Sequence, residues 1–322
     1  MLNLEHFHLK RAALIYNPVA RGISRDPHSL QRTIATLAKQ GIEVKLVATT
    51  GPGSASAQAR SQVETGCDLI IVAGGDGTVN EAANGVLHTN IPMAILPGGT
   101  ANVLAREMHI PTPLDRAASR LSYWKPQRIS IGRLHMAADA RPRPFLCMAG
   151  AGLDAEIVSR LNLDLKAATG KFAYYVAGFS HVLNPLHEFE VIVDGRRFEA
   201  SFALISRVRN YGGDLEIARG ASLLSHHFEV VLFRGTKSVR YLPYFVGFAL
   251  GRGHQMNGCT VLHGKSVSCL PPAAAKIYVQ VDGELTGRIP MSADIMPDAL
   301  TLLMPPEYLA KEQRLFAVPA CA

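Results

Sequence analysis

The feature that most constrains the fold is a pair of glycine-rich turns, each between an apolar run and a helical pattern. The first turn, Gly74–Thr78, follows the run Leu69–Ala73 and has the sequence Gly-Gly-Asp-Gly-Thr. The second turn, residues 97–102, follows Met93–Leu96 and has the sequence Pro-Gly-Gly-Thr-Ala-Asn. A strand, a glycine turn and a helix repeated in this order predict parallel strands connected by crossover helices.

The pattern of the chain changes near residue 128. Before this point short apolar runs, such as Ala12–Tyr16 and Val44–Val47, alternate with helical patterns. Beyond it strand-like runs follow one another, with Asp-Gly hairpin signals at Asp194-Gly195 and Asp282-Gly283. Two helical patches interrupt these runs, at Leu153–Ala177 and Val239–Leu250.

These patterns predict a two-domain protein. The predicted parts are an α/β domain over residues 1–127, with a parallel sheet and helices on both faces, a mainly antiparallel β domain over 128–305, and a tail over 306–322 that can return to the first domain.

Composition narrows the class of protein. The chain has 322 residues, of which 48% are hydrophobic, so we expect a packed core. The longest apolar runs, such as Tyr244–Leu250, are too short to span a bilayer, and the N-terminal segment has no signal-peptide run, so a cytoplasmic location is expected. The five cysteines form no C-x-x-C pair, which argues against zinc ligation and a disulfide framework.

The positive charge balance has two possible explanations. The formal net charge is +7, and arginines recur between Arg196 and Arg252. Ordinary solvated charge is one explanation, and a basic face attracted to anionic lipid is the other. No dense basic run or nucleic-acid-binding motif is present, so no nucleic-acid partner is expected.

The two glycine turns are candidates for phosphate binding. Glycines allow backbone N–H groups to approach an anion, and the start of a helix adds partial positive charge. Thr78 and Thr100, at the helix entries, can each offer a hydroxyl group to a phosphate oxygen. A single turn of this kind often only reverses the chain, but two of them favour phosphate binding.

Asp76 stands out in the first turn because a carboxylate repels phosphate unless a cation or proton lies between them. This favours either a contact to Mg²⁺ or a role in accepting the proton of an attacking hydroxyl group. The alternative is that Asp76 only caps the helix that follows.

Other nucleotide-binding motifs fit less well. The segments at Gly264-Lys265-Ser266 and Gly170-Lys171 lack the first glycine of a Walker A loop. Gly150–Ala155 fits G-x-G-x-x-A, which keeps a dehydrogenase open as an alternative, but it falls where the chain has become rich in strands.

The motifs together resemble the diacylglycerol kinase catalytic domain, and in particular the soluble bacterial lipid kinases of the diacylglycerol and sphingosine kinase group. The resemblance covers nearly the whole chain. It is carried by Asn17-Pro18, the GGDGTVNE run Gly74–Glu81, the LPGGTAN run Leu96–Asn102, Ala149–Ala155, Gly170–Tyr174, Gly212-Gly213 and Val281–Glu284. The Gly-Gly-Asp-Gly-Thr core alone is shared with NAD kinases and phosphofructokinases, whereas the extended set is specific.

The resemblance implies a two-domain lipid kinase or NAD kinase-like fold with an active site between the domains. It implies a role for Glu284 as the general base that accepts the proton of the lipid hydroxyl group, with Asp76 as a rival for base or metal ligand. From the residues alone a plain hairpin residue is favoured for Glu284, and the resemblance reverses this preference. The implied ATP contacts are Thr49, Gly74, Gly75, Asp76, Gly77, Thr78, Val79, Asn80, Glu81, Gly98, Gly99 and Thr100.

The chain departs from the family pattern at two places. The family's first loop has a serine where this chain has Ala20, although the adjacent Arg21 can supply positive charge. The family's structural magnesium turn contains a carboxylate that Ser225 replaces here. Ser222, Ser225 and His227 are the remaining candidates at that position.

The sequence therefore predicts an ATP- and Mg²⁺-dependent kinase that phosphorylates a lipid hydroxyl group at the membrane surface. A peripheral membrane association is expected, and a homodimer is compatible with the sequence. The alternatives are a kinase of a soluble nucleotide such as NAD and a lipid-binding regulatory homologue without turnover.

Overall fold

The structure is a computed structural model that describes residues 9–137, 139–153, 155, 186–211, 215–237, 241–272 and 275–317. Its contacts divide the chain into two compact units. The first unit is formed by the described parts of 1–130 and 297–322, and the second by those of 131–296. Residues 297–305, which we expected in the second domain, cluster with the first unit because the last strand pairs there with a neighbouring strand.

The elements alternate between helix and strand in the first part of the chain and are mostly strands in the second. The strands are β1 (Arg11–Tyr16), β2 (Glu43–Ala48), β3 (Leu69–Gly74), β4 (Met93–Pro97), β5 (Lys125–Met136), β6 (Arg143–Phe145), β7 (Met148–Gly152), β8 (Phe189–Val193), β9 (Arg196–Ala200), β10 (Phe202–Ser206), β11 (Asn210–Tyr211), β12 (Leu215–Glu216), β13 (Phe228–Phe233), β14 (Cys259–Gly264), β15 (Ser266–Leu270), β16 (Tyr278–Val281), β17 (Glu284–Arg288) and β18 (Met291–Met304). The helices are α1 (Arg21–Ser24), α2 (Ser29–Ala38), α3 (Ser54–Glu64), α4 (Asp76–Val86), α5 (Val103–Glu107), α6 (Leu114–Ala118), α7 (Tyr241–Ala249) and α8 (Pro306–Ala317), with 3-10 turns at Leu121–Tyr123 and Gly253–Gln255.

The first unit is built on a parallel sheet with the strand order β2-β1-β3-β4-β18. Every residue of β3 and β4 is buried, so both faces of the sheet are covered. The register places Ala12 beside Leu69, Ile70 beside Met93, and Met93 beside Leu302. The predicted α/β domain with a parallel sheet is thereby confirmed.

The second unit is a mainly antiparallel β domain, as predicted. One sheet has the strand order β14-β13-β10-β7-β16-β17. In a second antiparallel arrangement, β15 pairs with the N-terminal part of β18, β8 pairs with β15, and β9 pairs with β8. Alternating side chains of these strands form a shared apolar core. Within that core the rings of Phe145 and Phe228 stack with their centroids 5.7 Å apart.

Both predicted Asp-Gly hairpins are present, one between β8 and β9 and the other between β16 and β17. Asp194 and Gly195 have φ angles of 45° and 82°, and Asp282 and Gly283 have φ angles of 47° and 86°. Positive φ at both central residues is the conformation that two-residue hairpin turns require, and Asp-Gly adopts it readily.

The predicted helical patches are only partly visible. The patch at 239–250 corresponds to α7, whereas the patch at 153–177 lies outside the described residues except for Leu153 and Ala155. The resemblance segments Gly170–Tyr174 and Gly212-Gly213 also lie outside them. Among the helices that the structure describes, none is long and apolar enough to cross a membrane.

Candidate active site

The predicted nucleotide-binding segments of the first unit lie at the carboxyl ends of four neighbouring strands. Asn17 follows β1, Thr49 follows β2, Gly75 follows β3 and Gly98 follows β4. Since these strands are parallel, their carboxyl ends lie along one edge of the sheet, where open α/β sheets bind ligands.

Three loops at this edge are joined directly through their backbones. The N–H of Gly98 donates to the carbonyl of Gly74 at 2.9 Å, and the N–H of Gly22 donates to the carbonyl of Gly98 at 2.8 Å. Asn17 N–H also donates to the carbonyl of Ala73 at 3.0 Å. The two glycine turns and the loop after β1 therefore form one connected surface.

Besides exposing backbone N–H groups, the glycines allow close packing at the loops, which the sequence did not predict. A Cβ atom at Gly99 would lie 2.4 Å from the Cα of Gly75, and one at Gly74 would lie 2.8 Å from the Cβ of Thr78. The glycines thus allow the two loops to pack against each other, in addition to leaving backbone N–H groups accessible to an anion.

Asn102 closes the second glycine loop and was missing from our predicted site residues. Its Oδ1 accepts from the N–H of Gly99 at 2.8 Å, and its Nδ2 donates to the carbonyl of Gly99 at 2.9 Å. Its φ angle of 50° lies in the left-handed region, which Asn tolerates better than most residues. An Asn shortly after a Gly-Gly-Thr turn is the sequence signal that points to this role.

The Asp76 carboxylate connects the two glycine loops. Asp76 is the first residue of α4, and its Oδ1 accepts from the N–H of Val103 at 2.6 Å, in the first turn of α5. The sequence also allowed Asp76 to cap its own helix, α4. In the structure its carboxylate instead caps the start of α5. Burial raises the pKa of the Asp76 carboxyl above its ordinary value, and the backbone N–H groups of Val103, Leu104 and Asn102 oppose that rise.

The start of α4 presents groups suited to a polyphosphate. The N–H groups in the first turn of a helix have no partner within the helix, and here they belong to Asp76, Gly77 and Thr78. Thr78 Oγ1 lies 3.5 Å from Asn17 Nδ2, and Thr100 is exposed at the second loop. The Val79 side chain is 4% exposed and belongs to the core, so only its backbone can contribute.

Asn80, Glu81 and Thr49 extend this surface towards α3. The Oδ1 of Asn80 is buried and has no hydrogen-bond partner among the described residues. Glu81 Oε2 accepts from the N–H of Ala55 at 3.3 Å, and the N–H of Thr49 donates to the carbonyl of Tyr16 at 2.8 Å. The loops and the helix start, with their backbone N–H groups, fit a nucleotide with several phosphates.

Glu284 occupies the first position of β17 in the second unit and is exposed. The preceding turn is held rigidly, because the carboxylate of Asp282 accepts backbone N–H groups from Leu146, Cys147 and Met148 at 2.8 to 3.0 Å. Asp282 was part of the motif that we recognised, but its anchoring role was not predicted. Within the described ranges, the Glu284 carboxylate makes no hydrogen bond or ion pair, so it is available for proton transfer.

The predicted structural magnesium position does not fit a metal ion. The carbonyls of His227 and Leu223 accept hydrogen bonds from Nη1 and Nη2 of Arg207, at 2.8 and 2.9 Å. Arg207 is only 1% exposed, so a cation of the protein already lies at this turn.

Among the described residues, the side chains at this turn do not form a set of metal ligands either. Ser222 Oγ accepts from the N–H of Leu224 at 3.2 Å, and Ser225 Oγ is buried without a hydrogen-bond partner in the described chain. Among the residues that the structure describes, no group of three or more His, Cys, Asp or Glu side chains could hold a metal ion. An arginine side chain therefore holds the turn at which the family pattern places a metal ion.

The dehydrogenase alternative is excluded by the position of its glycines. Gly150 and Gly152 belong to β7, in the interior of the antiparallel sheet, where Gly150 pairs with Leu204 on one side and Gln280 on the other. A Cβ at Gly152 would lie 2.3 Å from the carbonyl oxygen of Ser201. These glycines serve strand packing, so no dinucleotide loop is formed here.

Two family models match successive parts of the chain. Residues 11–134 match the diacylglycerol kinase catalytic domain, and residues 147–304 match the YegS C-terminal NAD kinase beta sandwich-like domain. The chain therefore combines a diacylglycerol kinase catalytic domain with a YegS C-terminal domain, and its curated relatives support a place in the lipid kinase family.

Two curated relatives extend over most of this chain. A diacylglycerol kinase of Staphylococcus saprophyticus is 29% identical over 287 residues, which cover 87% of this chain and 91% of the relative. A diacylglycerol kinase of Bacillus subtilis is 28% identical over 289 residues, which cover 88% of this chain and 92% of the relative.

The fold agrees with a solved structure. The crystal structure of a diacylglycerol kinase from Bacillus anthracis strain Sterne superimposes with a TM-score of 0.73 and 23% identity. The superposition covers 92% of this chain and 98% of that one, so the two proteins share the fold over nearly their whole lengths.

Proposed function

We propose that this protein transfers the γ-phosphoryl group of ATP to a hydroxyl group of a lipid with a diacylglycerol-like or sphingoid-like structure. The observation that carries the proposal is the pair of glycine loops joined backbone to backbone at the carboxyl ends of β3 and β4. Two of the relatives that match most of the chain are named diacylglycerol kinases, which supports a lipid as the acceptor.

The first unit supplies the groups that hold the phosphates. Phosphoryl transfer depends mainly on positioning and on stabilising negative charge, and fixed backbone N–H groups do both without reorganising. Gly75, Gly77 and the first turn of α4 place such groups together, and the contact between Gly99 and Gly75 fixes the spacing of the two loops. Mg²⁺, when bound with ATP, neutralises phosphate charge, and Asp76 is the carboxylate of the glycine loops that can contact it.

Glu284 accepts the proton of the lipid hydroxyl group in this proposal. Its support is its place directly after a turn that Asp282 fixes through three backbone hydrogen bonds. A base held by its backbone rather than by side-chain partners keeps its carboxylate free for the substrate. Asp76 has one oxygen committed to Val103, so we assign it primarily to positioning the second glycine loop.

The proposal is tested by incubating the purified protein with labelled ATP and Mg²⁺ and a panel of acceptors. The panel contains diacylglycerol, monoacylglycerol, ceramide, sphingosine, phosphatidylglycerol and, as a soluble-nucleotide acceptor, NAD. We expect transfer of label to one lipid class and none to NAD. Transfer to NAD alone, or ATP binding without transfer to any lipid, would refute the lipid kinase proposal.

Substitutions at the two carboxylates separate their roles. Glu284→Gln should lower kcat by about a hundredfold or more while KM for ATP and the melting temperature stay unchanged, because only proton transfer is lost. Asp76→Asn keeps an acceptor for Val103 but removes the charge, so it should retain the melting temperature and lose turnover. Asp76→Ala should lose both. Full turnover in Glu284→Gln would reject the assignment of the base.

A further inference from the structure

Helix α7 (Tyr241–Ala249) of the second unit presents apolar side chains to solvent along one face. Pro243 and Val246 are exposed, and so is Leu250 directly after the helix, where the side chain is 73% exposed. The spacing of three and seven residues from Pro243 places Val246 and Leu250 on the same side of the helix.

The other face of α7 fixes this orientation. Tyr244 and Phe248 are buried, and the Tyr244 ring stacks on Phe233 of β13 with the centroids 4.7 Å apart. The Tyr244 hydroxyl donates to the carbonyl of Asn257 at 2.7 Å. A Cβ at Gly247 would lie 2.3 Å from the sulfur of Met256, so the helix backbone also packs closely there. The exposed apolar residues therefore cannot turn inward without breaking this packing.

The surroundings of α7 carry positive charge. Residues 230–281 contain six Lys or Arg residues and no Asp or Glu. Lys237 and Arg252, on either side of the helix, are exposed, and Arg219 Nη1 lies 3.3 Å from the carbonyl of Gly251 at the end of the apolar stripe. Glu216 is the nearby carboxylate, with its Oε2 4.0 Å from Arg219 Nε.

We infer that this face of α7 docks on an anionic lipid bilayer, with Val246 and Leu250 entering the interface and Lys237, Arg219 and Arg252 contacting the lipid phosphates. An apolar helix face bordered by cations is the arrangement of interfacial helices, since apolar burial and attraction to anionic headgroups act together. The inference builds on the proposed function, because a lipid kinase must reach a substrate that resides in a bilayer. A neutral protein partner would leave the excess of cations around the stripe without a counterpart.

The test measures binding of the full chain to sucrose-loaded vesicles by sedimentation. The vesicles contain either phosphatidylcholine alone or a mixture of phosphatidylglycerol and phosphatidylcholine. We expect binding to the mixed vesicles that weakens in high salt, and at least about a tenfold loss of the partition coefficient in Val246→Asp/Leu250→Asp. Arg252→Glu should lose at least about fivefold on mixed vesicles and little on phosphatidylcholine.

The matched control is Leu315→Asp, because Leu315 is 54% exposed on α8 and lies outside the proposed surface. It should bind vesicles like the unaltered protein, and melting temperatures should show that all variants fold. Equal binding by the double variant overturns the inference. So does a loss of dimer mass by light scattering in the double variant with vesicle binding unchanged, since the face would then contact a second copy.

The proposed function can fail separately from this inference. Kinase activity towards a short-chain diacylglycerol dissolved in buffer does not need a membrane and should be retained by Val246→Asp/Leu250→Asp. Vesicle binding without activity towards any lipid would reject the proposed kinase function and leave the docking surface supported.

Discussion

The two glycine loops of the first unit and the loop at 217–227 of the second unit are built on opposite physical principles. The glycine loops are held by backbone contacts, and side chains are excluded where Gly99 meets Gly75. The loop at 217–227 is held by arginine side chains that reach its backbone from the segment between β10 and β11. The glycine loops can be recognised in the sequence, because only glycine fits their close backbone contacts. A loop held by side chains from other segments has no such local signal.

Two buried arginines hold the second of these loops. Arg207 donates to the carbonyls of Leu223 and His227, and Arg209 Nε donates to the carbonyl of Arg219 at 3.1 Å. The buried Glu229 carboxyl lies against the same loop, where a Cβ atom at Gly220 would lie 2.9 Å from its Oε2. The arginines thus hold the turn at which the family pattern places a metal ion.

The largest combined effect on turnover and stability is expected for Gly99→Ala, which breaks the backbone contact between the glycine loops. The new Cβ would lie 2.4 Å from the Cα of Gly75 and 2.9 Å from Asn102 Oδ1, so the loops must separate. A displacement on the order of 1 Å is enough to lower turnover about a hundredfold. Overpacking of this kind destabilises a protein by about 1–3 kcal/mol. Kinase assays and denaturant unfolding measure the two losses.

Gly75→Ala is the matched control for this prediction, because it adds the same methyl group to the facing loop. Its Cβ would lie 3.4 Å from the Cα of Gly99, which is an ordinary contact, and the φ of Gly75 is −88°, which Ala adopts without strain. We therefore expect a free energy of unfolding close to that of the unaltered protein. If Gly99→Ala were as stable and active as Gly75→Ala, loop packing would not explain the glycines.

The next largest effect is expected for Arg207→Met, which removes the side chain that holds the second unit's loop. The carbonyls of Leu223 and His227 would lose their buried donors, and each unpaired group costs about 1–3 kcal/mol. We expect the free energy of unfolding to fall by about 3 kcal/mol or more, measured by denaturant titration. Arg234→Met removes an exposed arginine paired with Glu199 and should change it by about 0.5 kcal/mol at most.

A chelator distinguishes the arginine from a metal ion at this turn. If Arg207 is the cation there, EDTA leaves the melting temperature of the unaltered protein unchanged, and added Mg²⁺ does not restore Arg207→Met. A melting temperature that falls in EDTA and recovers with Mg²⁺ would show that the turn at Ser222 and Ser225 holds a metal ion after all.

The sequence predicted the features that depend on residues close together in the chain. Alternating apolar runs and helical patterns predicted the parallel sheet, and the Asp-Gly pairs predicted both hairpins with their left-handed backbone. The position of the glycine loops followed from the strand–turn–helix order, since parallel strands bring their carboxyl ends to one edge. The assignments of ATP contacts and of Glu284 as base remain predictions that the kinase assays test.

The contacts that join distant segments could not be predicted. Asp76 and Val103 are 27 positions apart, and Asp282 binds backbone groups of residues more than 130 positions earlier. Arg207 appeared as one of several arginines, because nothing in a local pattern distinguishes a 1% exposed arginine from a solvated one. Only the fold determines which of these side chains reach a buried carbonyl or N–H group.

The smallest effect in this set is expected for Glu229→Gln, which replaces the buried carboxyl at this loop with an amide of the same shape that cannot ionise. Burial raises the pKa of Glu229 to about 7 from a reference value of 4.5, and its Oε2 has no hydrogen-bond partner among the described residues. Between pH 4.5 and about pH 7, Glu229 is protonated in the folded protein but ionised in the unfolded chain. The stability that Glu229 provides is therefore fully present below pH 4.5 and is lost as the pH rises through about 7.

Glu229→Gln should remove this loss, since an amide of the same shape stays neutral over this pH range. Unfolding titrations across this range should show the variant exceeding the unaltered protein by at most about 3 kcal/mol above pH 7, with the difference vanishing towards pH 4.5. Titrating groups elsewhere cancel in this difference because both proteins contain them. If the variant is instead less stable by the same amount at every pH, the loop needs the ionised carboxylate. In that case the attraction between the Glu229 carboxylate and Arg209 stabilises the second unit's loop.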